Sequence, residues 1–467
     1  MTGHLARHCM EVEVGSYNKK IAMTAVVGVA GLALAGCAGA GGGGGGSSSD
    51  GGGGAVTVLM VGNPQMEDIE KLTKDTFTKD TGIEVDYTIL PENELRDKVT
   101  QDVATGAGQY DVVSVGAYEV PIWAKNDWLQ PLDDYVDDDA DYDAADLLDP
   151  MKESLSSDGQ LYALPFYGES SFLMYRKDVL KQEGLTMPEK PTWDEVADIA
   201  AKVDGAEPGM KGICLRGLPG WGEMFAPLTT VVNTFGGTWF DEDWTPEVDS
   251  PEFTDAVDFY VNLIKQHGEP GASQAGFTEC LNAMSQGKVA MWYDATSAAG
   301  SLEDSSVSKV AGKVGYAYAP VKETDSSGWL WTWSWAMPAD TDNKDNAAEF
   351  MKWATSKQYE QTVGEQLGWS RVPAGKRAST YEIPEYEKAA GDFGPLTLAS
   401  IEAADPTDPG VQPRPTVGVQ FVGIPEFADL GTKVSQSIAA VIAGKGSVED
   451  ALAQGQSEAE DVAKNYQ

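Results

Sequence analysis

The side chains able to do chemistry in this 467-residue chain are carboxylates and indoles rather than imidazoles. Beyond Cys37 one histidine remains, His267, at the polar end of an expected helix. A Ser-His-Asp or Cys-His centre needs an imidazole placed as base, and a zinc site usually wants two or three. His267 therefore reads as a helix-end residue. The chain carries no Walker loop and no GxGxxG opening a helix. Asp137, Asp139 and Asp141 alternate as in a calcium loop, but Tyr142 stands where that loop needs glycine and Leu148 where it needs glutamate. That stretch reads as solvated acidic surface, and neither metal nor cofactor is expected. Carboxylates are abundant, so a secreted hydrolase working with paired carboxylates survives by inventory as the rival to a binding protein.

The indoles are the positive signal. Trp329, Trp331, Trp333 and Trp335 alternate with Leu330, Thr332 and Ser334, so on one strand all four share a face. Such a row spans about 20 Å, more than twice the length of a six-carbon solute. At most two can touch a small solute, and the others must pack the core. Three further segments join aromatics, glycine and single carboxylates: Pro165 to Ser171, Gly217 to Glu223, and Met291 to Thr296. An indole face packs against the C–H side of a sugar or polyol, while a carboxylate accepts several hydroxyl hydrogen bonds.

The elements that would position these groups alternate in type. Val56 to Val61 is a short apolar run suited to a buried strand, and Met66, Ile69 and Leu72 follow at helical spacing. Ile83, Val85, Tyr87 and Ile89 alternate as a strand does; Leu95, Val99 and Val103 mark one helix face; Asp111 to Val115 is again a strand. This β-α-β-α-β order predicts a doubly wound α/β sheet. Later, Thr192 and Glu195 have capping-box spacing, and Ser250-Pro251 reads as the start of a helix running to about His267. So long an α/β body predicts two lobes.

The charge and the N-terminal stretch narrow the class. Against 33 basic side chains stand 73 acidic ones, a net −40 that repels nucleic acid and anionic lipid. Lys19 and Lys20 precede an apolar run, Ile21 to Leu34, with the length of a signal-peptide core and too short to span a bilayer. It ends in Leu34-Ala35-Gly36-Cys37, which resembles the lipobox of bacterial lipoproteins; the alternative is a signal peptide with a coincidental cysteine. In lipoproteins that cysteine carries the lipid and becomes the mature N-terminus. Glycines and serines from Gly41 to Gly54 then make a flexible tether. With Cys9 in the discarded segment, Cys214 and Cys280 remain, either as a disulfide, expected outside the cytoplasm, or as two buried thiols.

Long collinear motifs carry a resemblance. They are Gly116 to Trp123, Phe166 to Ser171, Gly212 to Glu223, Met291 to Thr296, Gly328 to Trp335, Arg414-Pro415, and Gly418 to Pro425. On these the body resembles the extracellular solute-binding proteins of ABC importers, in the maltose-binding-protein-like group and its sorbitol/mannitol branch. The resemblance implies a type II periplasmic-binding-protein fold: two α/β lobes, each a doubly wound sheet, with a hinge and an interlobe cleft. The segments would be 1–36 signal peptide, 37–54 lipidated cysteine and tether, 55–164 with 320–358 lobe one, and 165–315 with 372–467 lobe two. Hinge crossings are expected near 164–165, 315–320 and 358–372. By matching positions the cleft would hold Asn63, Tyr118, Glu169, Trp221, Asp294, Trp331, Trp333, Arg371 and Arg414. Glu169 and Asp294 would accept hydroxyl hydrogen bonds, and Trp221 and Trp333 would pack on the carbon chain. The implied partners are a small neutral polyol or sugar and the subunits of a membrane permease, for a monomer held outside the cell membrane by a lipid on Cys37. No catalysis is expected.

Overall fold

Two sheets organise the body, and the chain passes from one to the other with a single residue between strands. A computed structural model describes residues 54–137 and 139–467; the apolar run, Cys37 and residues 37–53 of the tether lie outside them. The strands are β1 (Val56–Val61), β2 (Val85–Leu90), β3 (Val112–Gly116), the short hairpin β4 (Ser156–Ser157) and β5 (Gln160–Leu161), β6 (Ala163–Glu169), β7 (Ser171–Arg176), β8 (Lys211–Cys214), β9 (Val289–Ala295), β10 (Val314–Tyr318) and β11 (Trp331–Ala336).

The first lobe is built on a five-stranded sheet in the order β2-β1-β3-β11-β6. β1 runs parallel to β2 and β3, while β11 is antiparallel to both β3 and β6. The parallel strands are apolar runs joined by helices Pro64–Thr73 and Glu92–Thr105, as such crossovers require. The second lobe carries a four-stranded sheet in the order β10-β7-β9-β8. Thr192 closes its expected capping box with Glu195, and Ser250 caps the helix Pro251–His267. The α/β class and the two lobes match the expectation.

The boundaries shift. Pro165 to Glu169 still pair with β11, so the first crossing falls at Ser170 rather than at 164–165. The return lies between Tyr318 and Trp331, overlapping the expected 315–320. The last crossing comes later than 358–372. The Arg377 guanidinium donates to the carbonyls of Tyr142 and Asp143, and Thr380 donates to Glu360, which keeps that stretch on the first lobe. A buried Lys376–Glu360 ion pair fixes it there. Nothing in local periodicity marks these buried polar anchors, so the sequence motifs placed the boundary too early.

The tryptophan row is also corrected. β11 begins at Trp331, and Trp329 precedes it, packing on Tyr293 of β9 with ring centroids 6.3 Å apart. Trp335 is fully buried against Phe166 and Phe350, at 5.3 and 5.9 Å. Trp331 occupies the space that a Cβ on Gly116 would fill, so the residue facing Trp333 across the ladder must be glycine.

Cys214, at the end of β8, forms a disulfide with Cys280 of the helix Phe277–Ser285, their Cα atoms 5.6 Å apart. That bridge ties together two elements whose next residues reach the gap between the lobes.

Candidate functional site

A cavity of about 120 Å³ lies between the lobes, where the C-terminal ends of the parallel strands converge. The first lobe supplies Val61 to Asn63 after β1, Pro91 and Glu92 after β2, Tyr167 and Glu169 of β6, and Trp333 of β11. The second supplies Arg216 and Leu218 after β8, Glu223, the helix start Phe277 to Glu279, and Ala295 and Ser297 after β9. A second cavity of the same volume, near Ser326 to Gly328, is lined mainly by small side chains and lacks such a convergence of charged groups.

Arg216 organises the second-lobe wall. Its Nε and Nη2 donate to Asp294 at 2.8 and 2.6 Å, and its Nη1 donates to Glu223 at 3.3 Å. Asp294 accepts two more bonds, from Trp292 Nε1 at 3.0 Å and from the Ala295 amide at 2.7 Å. Four donors saturate its oxygens, and the side chain has no exposure. The expectation that Asp294 accepts solute hydroxyls is therefore corrected: it lies behind Arg216 and holds it in place.

The carboxylates on the cavity wall are differently placed. Glu169 accepts from the Ser297 hydroxyl, and burial pushes its carboxyl up to about 8. Burial, reinforced by nearby Glu92, raises Glu223 to about 7. Glu223 also accepts from the Phe277 amide, and Glu279 from the Gly276 amide. In Glu92, Glu169, Glu223 and Glu279 one oxygen takes the protein's hydrogen bonds; among the described residues the other takes none. Four carboxyl oxygens that take no protein hydrogen bond thus belong to residues lining the same small volume.

Of the nine expected site residues, three line the cavity: Asn63, Glu169 and Trp333. Asn63 is partly committed, its Oδ1 capping the helix Pro64–Thr73 at Met66 and its Nδ2 donating to the Tyr167 hydroxyl at 2.9 Å. Four of the remaining six hold the lobes against one another. Trp221 lies under the Arg96 guanidinium at 4.2 Å and against Tyr118 at 4.6 Å, and does not line the cavity. Tyr118 donates to the Ile424 carbonyl at 2.7 Å, and Trp331 meets Phe421 edge-on at 5.4 Å. Arg371 clamps Asp68 of the first lobe through two bonds of 2.8 and 2.7 Å and reaches Asp304 of the second at 2.8 Å. Arg414 sits inside the second lobe, donating to Asn233 at 3.0 Å, with its charge disfavoured by burial. These long aromatic and basic side chains were matched to the cleft, and tertiary packing uses them to seal it.

Sequence reasoning missed Glu92, Arg216, Glu223, Tyr167 and Phe277. Arg216 carried a usable signal: a basic residue immediately after a strand, inside a quoted motif, in a strongly acidic chain. Glu92 carried none beyond its place after a strand.

The model of the bacterial extracellular solute-binding protein family matches residues 63–361. A mannitol-binding protein of Pseudomonas aeruginosa is 43% identical over 402 residues, 86% of this chain and 91% of the relative. The crystal structure of an ABC transporter solute-binding protein from Agrobacterium vitis, with bound D-mannitol, superposes with a TM-score of 0.86 at 48% identity, covering 88% of this chain and 99% of that one. A ribitol complex from Agrobacterium radiobacter gives 0.77 at 26% identity, with 88% and 99% covered. A maltose-bound protein of T. maritima, at 22% identity and 0.74, shares the fold. Strand order, an interlobe cavity and these matches lead to one assignment: the chain belongs to the bacterial extracellular solute-binding proteins.

Proposed function

We propose that this protein captures a linear sugar alcohol of the mannitol type between its lobes and delivers it to an ABC permease. The observation that carries the reading is the set of four carboxylate oxygens without protein partners around a cavity that also presents Trp333 and Phe277. A hexitol offers hydroxyl donors along its whole length and a C–H side for the aromatic faces. The volume suits it, since about 120 Å³ takes on the order of ten water-sized groups. Micromolar binding of about 12 heavy atoms needs roughly 0.7 kcal/mol per atom, well within the range of small ligands. The mannitol and ribitol bound to the two Agrobacterium relatives support the same reading.

Capture would proceed by lobe closure. Tyr118–Ile424, Trp221–Arg96 and Arg371–Asp304 join the lobes, and a solute touching both walls favours the form in which they meet. The protein acts as a carrier without catalysis; a hydrolase would instead turn over a chromogenic glycoside. It is anchored outside the cell membrane through a lipid on Cys37, after the Leu34-Ala35-Gly36 run. Among the described residues no helix is long and apolar enough to cross a membrane. Cys37→Ala should release the protein from the detergent phase without unfolding it.

Calorimetric titration with mannitol, sorbitol, ribitol, glucose and maltose tests the solute. A hexitol should bind most tightly and raise the melting temperature by mass action. Binding of maltose alone would overturn the reading in favour of an oligosaccharide carrier.

A further inference from the structure

We propose that Phe421 limits the length of the solute: it occupies, against Trp331, the place between the lobes that a second sugar unit would take, and so confines the cleft to a single polyol chain. The proposal rests on the polyol reading and names what sets its size limit. The tryptophans of β11 divide the face they share. Trp335 is sunk in the first-lobe core, Trp333 lines the cavity, and Trp331 lies beside Trp333 on the side opposite Trp335, with ring centroids 5.8 Å apart. The row therefore offers a further indole just beyond the cavity, and an indole packs against the C–H side of a sugar. In this protein a phenyl ring already sits there. Phe421, from the second lobe, meets Trp331 edge-on at 5.4 Å and Trp221 edge-on at 5.0 Å, and only 7% of the residue is exposed.

A strap without helix or strand holds the ring in position. Residues 404–426 join the helices Gly394–Ala403 and Phe427–Ile442. The strap is pinned inside the second lobe by Asn233, which is 1% exposed, donates to the Val419 carbonyl at 2.9 Å and accepts from Arg414 at 3.0 Å. The Gly418 amide closes the turn on the Pro406 carbonyl at 2.7 Å. Past Phe421 the Ile424 carbonyl accepts from the Tyr118 hydroxyl of the first lobe. Arg414 and the Gly418 to Pro425 motif, which supply nothing to the cavity wall, thus fix one phenyl ring between the lobes. A side chain held on both sides in close-packed surroundings yields little to a longer solute. The exclusion is steric, a cost set against the wrong solute rather than a bond made to the right one.

Calorimetric titration of the full mature protein and of Phe421→Ala with D-mannitol and with 1-O-α-D-glucopyranosyl-D-mannitol, the same hexitol carrying one glucose, tests this. The wild type should bind the glucosylated hexitol at least 100-fold more weakly than mannitol. Phe421→Ala takes a six-carbon ring away from Trp331 and should raise affinity for the glucosylated hexitol at least tenfold. If the wild type binds mannitol but discriminates less than 100-fold, or the variant gains less than tenfold, the size limit is overturned while the polyol reading stands. A residue that only packs the lobes together would weaken both solutes in parallel, which is such a result. Where Phe421→Ala does not melt cooperatively, the milder Phe421→Leu is read instead and should gain at least threefold; a smaller gain overturns the proposal. If neither variant folds, Phe421 belongs to the core and the proposal falls. If the wild type binds neither solute, the polyol reading falls with it.

Discussion

Two buried arginines, Arg216 and Arg96, sit in nearly the same chemical setting and do different work. Each is flanked by two carboxylates, Asp294 and Glu223 for one and Glu92 and Glu119 for the other, and each lies against an aromatic face, Phe277 for Arg216 and several indoles for Arg96. Every partner of Arg216 comes from the second lobe: Asp294 on β9, Glu223 and Phe277. Around Arg96 the carboxylates, Trp331 and Trp333 belong to the first lobe, while Trp221 comes from the second. The first arrangement persists whether the lobes meet or part. The second is complete only when they meet. A guanidinium whose partners share one lobe is a fixed wall, and one whose partners straddle the gap is a fastening.

Removing partners should separate the two roles. Asp294→Asn would strip Arg216 of the carboxylate that neutralises it at zero exposure. Breaking one side of a buried pair costs about 3–5 kcal/mol. Chemical denaturation without solute should show that loss, together with loss of binding. An unchanged unfolding midpoint would return Asp294 to the solute.

The disulfide comes next. Cys214 and Cys280 are 66 residues apart and join the strand leading to Arg216 to the helix that begins at Phe277. Replacing both by serine should cost about 2–4 kcal/mol of stability and weaken solute binding. The contacts around Arg96 should be untouched.

Trp221→Ala acts on the fastening alone. A desolvated cation–π contact is worth about 2 kcal/mol, which converts to roughly thirtyfold in affinity. Small-angle scattering should show less compaction on adding solute, while the unliganded melting temperature barely moves. A large drop in unliganded stability would place Trp221 with the fixed wall.

The smallest effect is in pH. Glu169 and Glu223 border the Arg216 side, with carboxyls raised to about 8 and about 7. A carboxyl raised on folding contributes stability that is full below its unfolded value and fades as pH climbs through the folded one. Unliganded stability should therefore decline between about pH 4.5 and pH 8, by at most about 1.4 kcal/mol per pH unit for each group. Glu169→Gln should flatten the upper part of that slope, and a slope unchanged by this substitution would count against its burial.

Much of this was legible in the residues. Alternating apolar runs fixed the α/β class because period 2 and period 3.6 are imposed by backbone geometry. Asn63 was found because it follows a strand at the open edge of a sheet, where ligands collect, and Glu169 and Trp333 because they lie in motifs that carry the family resemblance. Trp221, Tyr118 and Arg371 were misplaced for a physical reason: aromatic and basic side chains suit a lobe interface as well as a solute, and composition does not separate the two. Asp294 looked like an acceptor until its four donors were counted: two come from neighbours in sequence, Trp292 and Ala295, and two from Arg216, 78 residues away.

By itself the sequence determined the elements, their alternation, the single histidine beyond Cys37 and the excess of acidic over basic side chains. These are properties of residue type and spacing, set before the chain folds. Tertiary structure alone decided which carboxylates keep an oxygen free. Glu169 and Asp294 are both buried acids at strand ends, yet one meets a single serine and the other an arginine, an indole and an amide. A carboxylate's role depends on how many donors the folded chain brings within about 3 Å, and that number is not written in the residue.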